Sequence, residues 1–521
     1  MVCMDDKSTD DDIQPAASTE EKDGKKDAPR VAFKRRSLIL GGGVAGLALL
    51  GGGAAIGRTL PNGNQAKPEA DSDEDSGPTL RKFVSTDLTV PAVSSWRHGA
   101  VTPGFVFVTQ QVKGFNGLIM RESGEPVWIE PTKVNLTDLR VQTFEGKPVL
   151  TYWSGKSTGG HGDGKCTILD TSYAPVATVR AGNGIDADLH EFNLTTEGTA
   201  LITAYVTEPA DLSSIGGPAS GYVFNCHVQE VDVRTGKVLL DWNAMDHVPI
   251  DETYLGLQQD KGHDGTTAKR AFDPYHLNAI TPDGNRLLIS ARHTHTIYSI
   301  DRTSGDVQWR FGGKKTDFPI ATDAVFAWQH DVRWHGNGIV SLFDNHLYSG
   351  SDGESRGMYF TLDEKSKTAT LTQEYTYNRH LGTAMGSVQE LPNGNVLIGW
   401  GTDPAVTEFD KEGHAVYEAT LGSISYRAAR FEWHAQPTTR PAIAAEKDGS
   451  NVRVYLSWNG ATEVARWRIH AGDSESTMKH AGGAPHTGFE TTRRIARAKV
   501  VSAQALDATG KVLGTTATIS V

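Results

Sequence analysis

Two short phrases alternate along residues 95–435, and no other feature narrows the possible folds so far. The first is an alternating strand, a Gly turn and an apolar strand. It appears as FNLTTEGTALITAY (192–205), LNAITPDGNRLLISA (277–291), VRWHGNGIVSLFD (332–344) and VQELPNGNVLIGW (388–400), with weaker copies TPGFVFVTQ (102–110) and VQTFEGKPVLTYW (141–153). The second is a strand ending near Asp, a turn and another apolar strand. It appears as VQEVDVRTGKVLLDW (228–242), YSIDRTSGDVQWRFG (298–312) and VTEFDKEGHAVYEAT (406–420), with weaker copies at 118–130, 168–180 and 359–372. Alternation of period two, bounded by turn residues, is the pattern of hairpins. Each pair of phrases supplies four antiparallel strands, too few to bury both faces alone. Radial stacking of such units around an axis solves that problem and hides most strand edges. Six pairs predict an all-β chain with a six-bladed β-propeller over residues 91–437.

The period breaks after residue 437. The runs VRVYLSWNG, TEVARWRIHAG, RIARAKVVSAQALDATG and KVLGTTATISV predict a small β-sandwich over 441–521, with the pattern of an immunoglobulin or fibronectin type III domain. At the other end, residues 1–30 are polar and predict disorder. Lys34-Arg35-Arg36 precedes an uncharged Gly- and Ala-rich run ending near Gly57. Residues 1–60 therefore read as a tail with a twin-arginine export signal or a signal anchor. Either reading places the body outside the cytoplasm, whether extracellular, periplasmic or at the cell surface, with anchoring in the membrane possible through this segment. Residues 61–90 read as an acidic linker.

The net charge of −12 argues against a nucleic-acid partner, which needs a basic surface. No CxxC pair is present, which argues against structural zinc. Cys166 and Cys226 read equally well as one disulfide or as two buried thiols. No GxxxxGK[ST] loop occurs either.

The repeat allows positions in different blades to be compared. Eight residues before the turn glycine of the first phrase, Gly198 leads to His190, Gly284 to His276 and Gly338 to His330. Gly394 leads to Gly386, Gly146 to Asp138 and Gly104 to Trp96. Only 18 of 521 residues are His, so three in six equivalent positions exceeds chance. Eight residues after the turn lie Arg292 and His346, with Asn278, His293 and Asn345 nearby. Three imidazoles and a guanidinium at one rim could supply a nucleophile with acid–base partners, or hold a metal. No carboxylate is matched to them in sequence, so no metal is expected. The plain alternative is a set of structural histidines bonded to loop carbonyls. His161 and His263 lie in Gly- and Asp-rich stretches and read as solvated. Trp153, Trp242, Trp309 and Trp400 read as filler between blades.

The phrases ADLHEFNLT, DPYHLNAIT, LLISARHTHTIYSID and FAWQHDVRW resemble the nucleotide-independent aryl-sulfate sulfotransferases, and the resemblance runs over most of 95–435. It implies a propeller enzyme that moves a sulfuryl group from an aryl sulfate to a phenol through a sulfohistidine, without a cofactor. By motif the nucleophile falls on His330. The other functional residues fall on His276, His190, Arg292 and Asn278, with His276 or His190 as the proton carrier. His293, Asn345 and His346 are expected beside the substrate. The best-known members carry an N-terminal β-domain that mediates dimerisation; here a tail stands in its place, so the oligomeric state stays open. Other readings of the same features are a non-catalytic binding propeller, a quinoprotein dehydrogenase and a polysaccharide lyase.

Overall fold

The computed structural model describes residues 78–111, 114–259, 262–346 and 353–521. The expected export segment within 1–60, and the linker as far as residue 77, lie outside the described residues. Among the described residues the structure is built of strands, with short 3-10 turns and no α-helix. None of their helices is long and apolar enough to cross a membrane.

Five of the six pairs of repeated phrases each supply four consecutive antiparallel strands to one sheet. The sheets begin at the strands Leu136–Phe144, Phe192–Leu194, Leu277–Asp283, His330–Gly336 and Ser387–Glu390, and each then runs outward through consecutive hairpins. A further sheet has the order Ala428–Phe431, Phe105–Gln111, Phe115–Met120, Pro126–Ile129. It joins a strand from late in the chain to three from its beginning. Contacts link each of these sheets to the next around the series, and Ala428–Phe431 touches both Ser387–Glu390 and Leu136–Phe144, so the circuit closes. This all-β arrangement is consistent with a propeller.

The closing strand corrects the reading of Trp96. Ser94–Arg97 adds a fifth strand to the outer edge of the sheet that starts at Ser387, with Trp96 opposite Glu418. The inner place expected for it is taken by Ala428–Phe431, and Tyr426 lies just before that strand. The linker is also shorter than expected, because Leu80–Lys82 pairs with Thr89–Pro91.

Apolar side chains fill the spaces between neighbouring sheets. Val228 and Trp242 pack with Leu277, Ile280, Ile289 and Tyr298 of the next sheet in one cluster. Trp153, Trp242, Trp309 and Trp400 are all buried. Trp242 keeps its indole N–H satisfied by donating to the Gly305 carbonyl at 2.9 Å, as a buried indole requires. Cys166 and Cys226 are separate buried thiols, so the disulfide alternative falls.

After residue 441 two further sheets form. One holds Ala442–Asp448, Asn451–Ser457 and Glu490–Ala496; the other holds Lys479–Pro485, Arg466–Gly472, Val500–Leu506, Val512–Thr515 and Ile519–Ser520. Val452, Val454, Leu456 and Ile495 of the first share a core with Trp467, Ile469, Val501 and Ala503 of the second. Lys479–Pro485 (KHAGGAP) was not foreseen, since it lacks apolar alternation. The Asn459 side chain exchanges two 2.8 Å hydrogen bonds with the backbone of Ile129. Gly460 N–H donates to the Val127 carbonyl at 2.8 Å. These bonds cap an edge strand that would otherwise be open to another chain.

Candidate functional site

His190, His276 and His330 stand at the starts of the inner strands of three sheets. Register shifts follow His276 and His330, where an extra residue bulges from the strand, and such bulges re-aim neighbouring side chains. His276, Trp328, Asp331 and His346 all take left-handed backbone angles, with φ of 54°, 56°, 56° and 48°. For residues with a Cβ this costs roughly 1–2 kcal/mol each, which the surrounding sheets must hold in place. Gly386, the corresponding residue of the next sheet, has φ 107°, and a Cβ there would run into the Phe343 ring. That position has no room for a fourth imidazole.

Each of the three imidazoles is fixed through Nδ1. His190 Nδ1 lies 2.5 Å from Asp188 Oδ2. His276 Nδ1 lies 2.6 Å from Asp273 Oδ2. His330 Nδ1 lies 2.7 Å from Asn345 Oδ1. A ring held this way turns Nε2 toward its other neighbours. The third case has a different partner, and its tautomer follows from the hydrogen bonds. Asn345 Nδ2 donates to the Gly382 and Met385 carbonyls at 2.6 and 2.9 Å. Its Oδ1 therefore faces His330, and His330 Nδ1 must be the donor. Nε2 then keeps its lone pair, to which the Met385 N–H makes a long 3.3 Å bond.

The rings crowd together. His190 and His276 have centroids 4.7 Å apart, and His276 and His293 also 4.7 Å. Burial pushes the His330 imidazole well below its ordinary pKa, and the Arg292 charge adds to the effect. Burial likewise lowers His276, with further contributions from His190 and His161. Arg292 is brought down to about 10 by burial, so it stays charged at neutral pH. It stacks on Trp328 with 4.9 Å to the ring centroid, and donates to His293 Nε2 at 2.9 Å and to the Thr383 carbonyl at 3.2 Å. Three of its five N–H groups are not used by these bonds.

The remaining expected residues fall in different places. His293 is buried, with Nδ1 donating to the Asp273 carbonyl at 2.7 Å. Asn345 holds His330. Asn278 is fully buried, and its Nδ2 donates to the carbonyl of Gln329 at 2.7 Å. It thus ties its strand to the residue before His330. His346 lies beside Asp344, 3.6 Å from its carboxylate, which Arg356 also meets at 2.8 Å.

Sequence reasoning missed Asp188, Asp273 and His161. His161 is not solvated: it is 8% exposed and begins the strand His161–Leu169. Its ring centroid lies 5.3 Å from His276 and 4.3 Å from Tyr205, and its Nε2 is 3.3 Å from Asp273 Oδ2. His263 is half-buried, 5.5 Å from Phe224 between ring centroids. The expectation that no carboxylate matches the histidines is also corrected, because donor atoms of His161, Asp273 and His276 lie within 4.8 Å of one another.

One residue further along the inner strands, the chemistry changes from imidazoles to paired charges. Arg427 meets Asp138 at 2.7 Å, Glu191 at 3.1 Å and Asp331 at 3.1 Å. Arg333 adds bonds to Glu191 and Asp331 at 2.9 and 2.6 Å, and Arg140 adds one to Glu191 at 2.6 Å. Burial alone would raise the Glu191 carboxyl, but Arg333, Arg427 and Arg140 together hold it well below the usual range. Three carboxylates and three guanidiniums balance. Asp138, placed by the phase count among the histidines, belongs to this layer. On its far side a cavity of about 710 Å³ runs from Asp331 and Ser387 to the turn at Gly394, and none of the three imidazoles lines it.

The lowered histidines carry a consequence for stability. Burial pushes down His161, His276, His293 and His330, and brings His295 to about 3 and His486 to about 4. Below pH 6.5 the unfolded chain binds protons that the folded chain refuses, so stability rises with pH in that window and is complete above it. Thermal melts at pH 7.5 and 5.5 are expected to show a clearly lower midpoint at 5.5. An equal or higher midpoint at 5.5 contradicts the assigned environments.

No curated protein matches this sequence. Solved structures resemble it distantly. A protein of unknown function from Bacteroides caccae is 14% identical, with TM-score 0.37, over 63% of this chain and 98% of its own. One of unknown function from Dyadobacter fermentans is 13% identical, with TM-score 0.35, over 78% and 100%. An inactive virginiamycin B lyase from Staphylococcus aureus, crystallised with quinupristin, is 9% identical, with TM-score 0.31, over 70% and 96%. At these scores they carry no argument about function. The profile of the arylsulfotransferase (ASST) family matches residues 140–422, more than half of the sequence, and the chain belongs to that family.

Proposed function

We propose that this chain is an aryl-sulfate sulfotransferase, with His330 as the nucleophile that carries the sulfuryl group from an aryl sulfate to a phenolic acceptor. Its frame is read as a six-bladed propeller followed by a β-sandwich, exported by the Lys34-Arg35-Arg36 segment. Family membership supports sulfotransferase chemistry in general. The observation that carries the finer reading is the difference in backing groups. His190 and His276 are backed by carboxylates, whereas His330 is backed by an amide. A carboxylate behind Nδ1 fixes the ring's tautomer and orientation and steadies an imidazolium formed in passing during turnover, suited to relaying protons. An amide oxygen fixes the neutral tautomer with a free Nε2 lone pair, suited to attack.

In the first half-reaction His330 Nε2 displaces the Met385 N–H and attacks sulfur. The N–S bond forms as the S–O bond to the aryl group breaks, and the electron pair leaves on the phenolate oxygen. Arg292 stabilises the equatorial oxygens, as in phosphoryl transfer. His190 and His276, 4.7 Å apart between ring centroids, share one mobile proton. It goes to the departing oxygen and is recovered from the incoming phenol, whose oxygen then takes the sulfuryl group from His330. The protons balance over the cycle without a cofactor.

The scheme predicts ping-pong kinetics. With 4-nitrophenyl sulfate as donor and phenol as acceptor, double-reciprocal plots at several acceptor concentrations are expected to be parallel. Intersecting lines contradict the covalent intermediate. No turnover of any aryl sulfate returns the chain to the reading of a binding module.

A further inference from the structure

We propose that His161, Asp273 and His276 form a binding site for a borderline transition-metal cation of the zinc class, and that occupancy shuts off sulfuryl transfer. The inhibitory part rests on the function proposed above; the binding part stands without it.

The donor set is two imidazole nitrogens and one carboxylate oxygen, within 4.8 Å of one another. That composition suits Zn²⁺, Cu²⁺ or Ni²⁺, and is too poor in oxygen for Ca²⁺ or Mg²⁺. The carboxylate is held in advance. Asp273 Oδ1 accepts the backbone N–H groups of His276 and Tyr275 at 2.9 and 3.3 Å, which leaves Oδ2 facing the two imidazoles. His161 Nε2 stands 3.3 Å from that oxygen, close to the ligand–ligand spacing of a tetrahedral zinc site, about 3.3–3.5 Å for bonds near 2.0–2.1 Å. Its Nδ1 is buried without a hydrogen-bond partner, so nothing on that side sets the tautomer. His276 Nδ1 lies at 2.6 Å from the same oxygen, held by a proton that the metal would replace.

The proton accounting gives the inhibition. In neutral His276 one proton sits on Nδ1, shared with Asp273. A metal at Nδ1 moves that proton to Nε2 and adds positive charge beside it. The Nε2 lone pair that takes a proton from the acceptor phenol is then gone, and His190 is left without its exchange partner. Occupancy therefore blocks the acid–base pair while leaving His330 untouched.

The test uses the full-length protein, stripped with a chelator and titrated with ZnCl₂ in a calorimeter, beside His161→Ala. The parent is expected to show a high-affinity zinc event that His161→Ala weakens at least about tenfold. Zinc is expected to inhibit 4-nitrophenyl sulfate turnover by the parent. His161→Ala is expected to turn over normally in chelator and to resist zinc. Should His161→Ala fold poorly, His161→Gln gives the same comparison, with Co²⁺ absorption in the visible as the readout. Absence of high-affinity zinc uptake by the parent, or equal uptake by both proteins, overturns the site. Zinc uptake that depends on His161, in a protein that transfers no sulfuryl group, upholds the site and overturns the enzyme. Uptake dependent on His161 with undiminished turnover overturns the inhibitory role.

Discussion

His330→Ala is expected to lower turnover of 4-nitrophenyl sulfate by about 10⁴-fold or more, with the fold retained. Removal of a covalent nucleophile costs on this scale because no other group supplies the reacting lone pair. The structural cost is smaller. The substitution leaves Asn345 Oδ1 without its donor, and a buried polar group left unpaired costs about 1–3 kcal/mol. Asn345 keeps its two bonds to Gly382 and Met385, so the loop should stay in place. The choice of donor separates this role from that of the proton carriers. His276→Ala should impair phenyl sulfate, a poor leaving group, far more than 4-nitrophenyl sulfate, whose phenolate leaves without a proton. His330→Ala should impair both alike. The kcat/KM for each donor, which reports the first half-reaction alone, checks this, and equal loss on both donors in His276→Ala counts against its role in protonating the leaving group.

The second large effect concerns stability. Arg427→Met is expected to cost about 3–5 kcal/mol, the range for removing one partner from a buried charge network. Arg427 meets Asp138, Glu191 and Asp331, and it also donates to the Asn278 carbonyl at 3.0 Å. Without it, three buried carboxylates face only Arg140 and Arg333. The adjoining Tyr426 hydroxyl donates to the His190 carbonyl at 2.9 Å, so disorder in the closing strand would reach the imidazoles. Urea denaturation measures the loss; a change below about 1 kcal/mol would show that the network is wet and loosely held.

The hairpins were legible because strand alternation and turn glycines are local signals. Every repeated phrase after residue 136 became a strand pair where it was expected. Closure of the circuit was not legible, because Ala428–Phe431 pairs with Phe105–Gln111 across most of the chain. Counting from Gly104 therefore ran back into Ser94–Arg97, an outer strand. The count from Gly146 reached Asp138 because this hairpin is one residue longer than the one at Gly338: Thr137, opposite Trp153, stands nine residues before its glycine, whereas His330, opposite Phe343, stands eight before its own. Of the three histidines of the phase count, His276 and His330 lie close enough to feel the Arg292 charge and His190 packs on His276, but the carboxylates behind His190 and His276 were overlooked. The signal was local: Asp188 stands two residues before His190, and Asp273 three before His276. His161 gave no such signal, since its Gly-rich surroundings read the same whether the turn is solvated or folded against a neighbour.

Chemical mapping of the intermediate tests the central claim most directly. The protein is mixed with 4-nitrophenyl sulfate without acceptor, quenched at alkaline pH and digested, and the peptides are searched by mass spectrometry for a sulfuryl group. The account predicts an acid-labile label on His330, discharged when phenol is added before the quench. A label on His190, His276 or any other residue, or steady turnover with no labelled histidine, would contradict it.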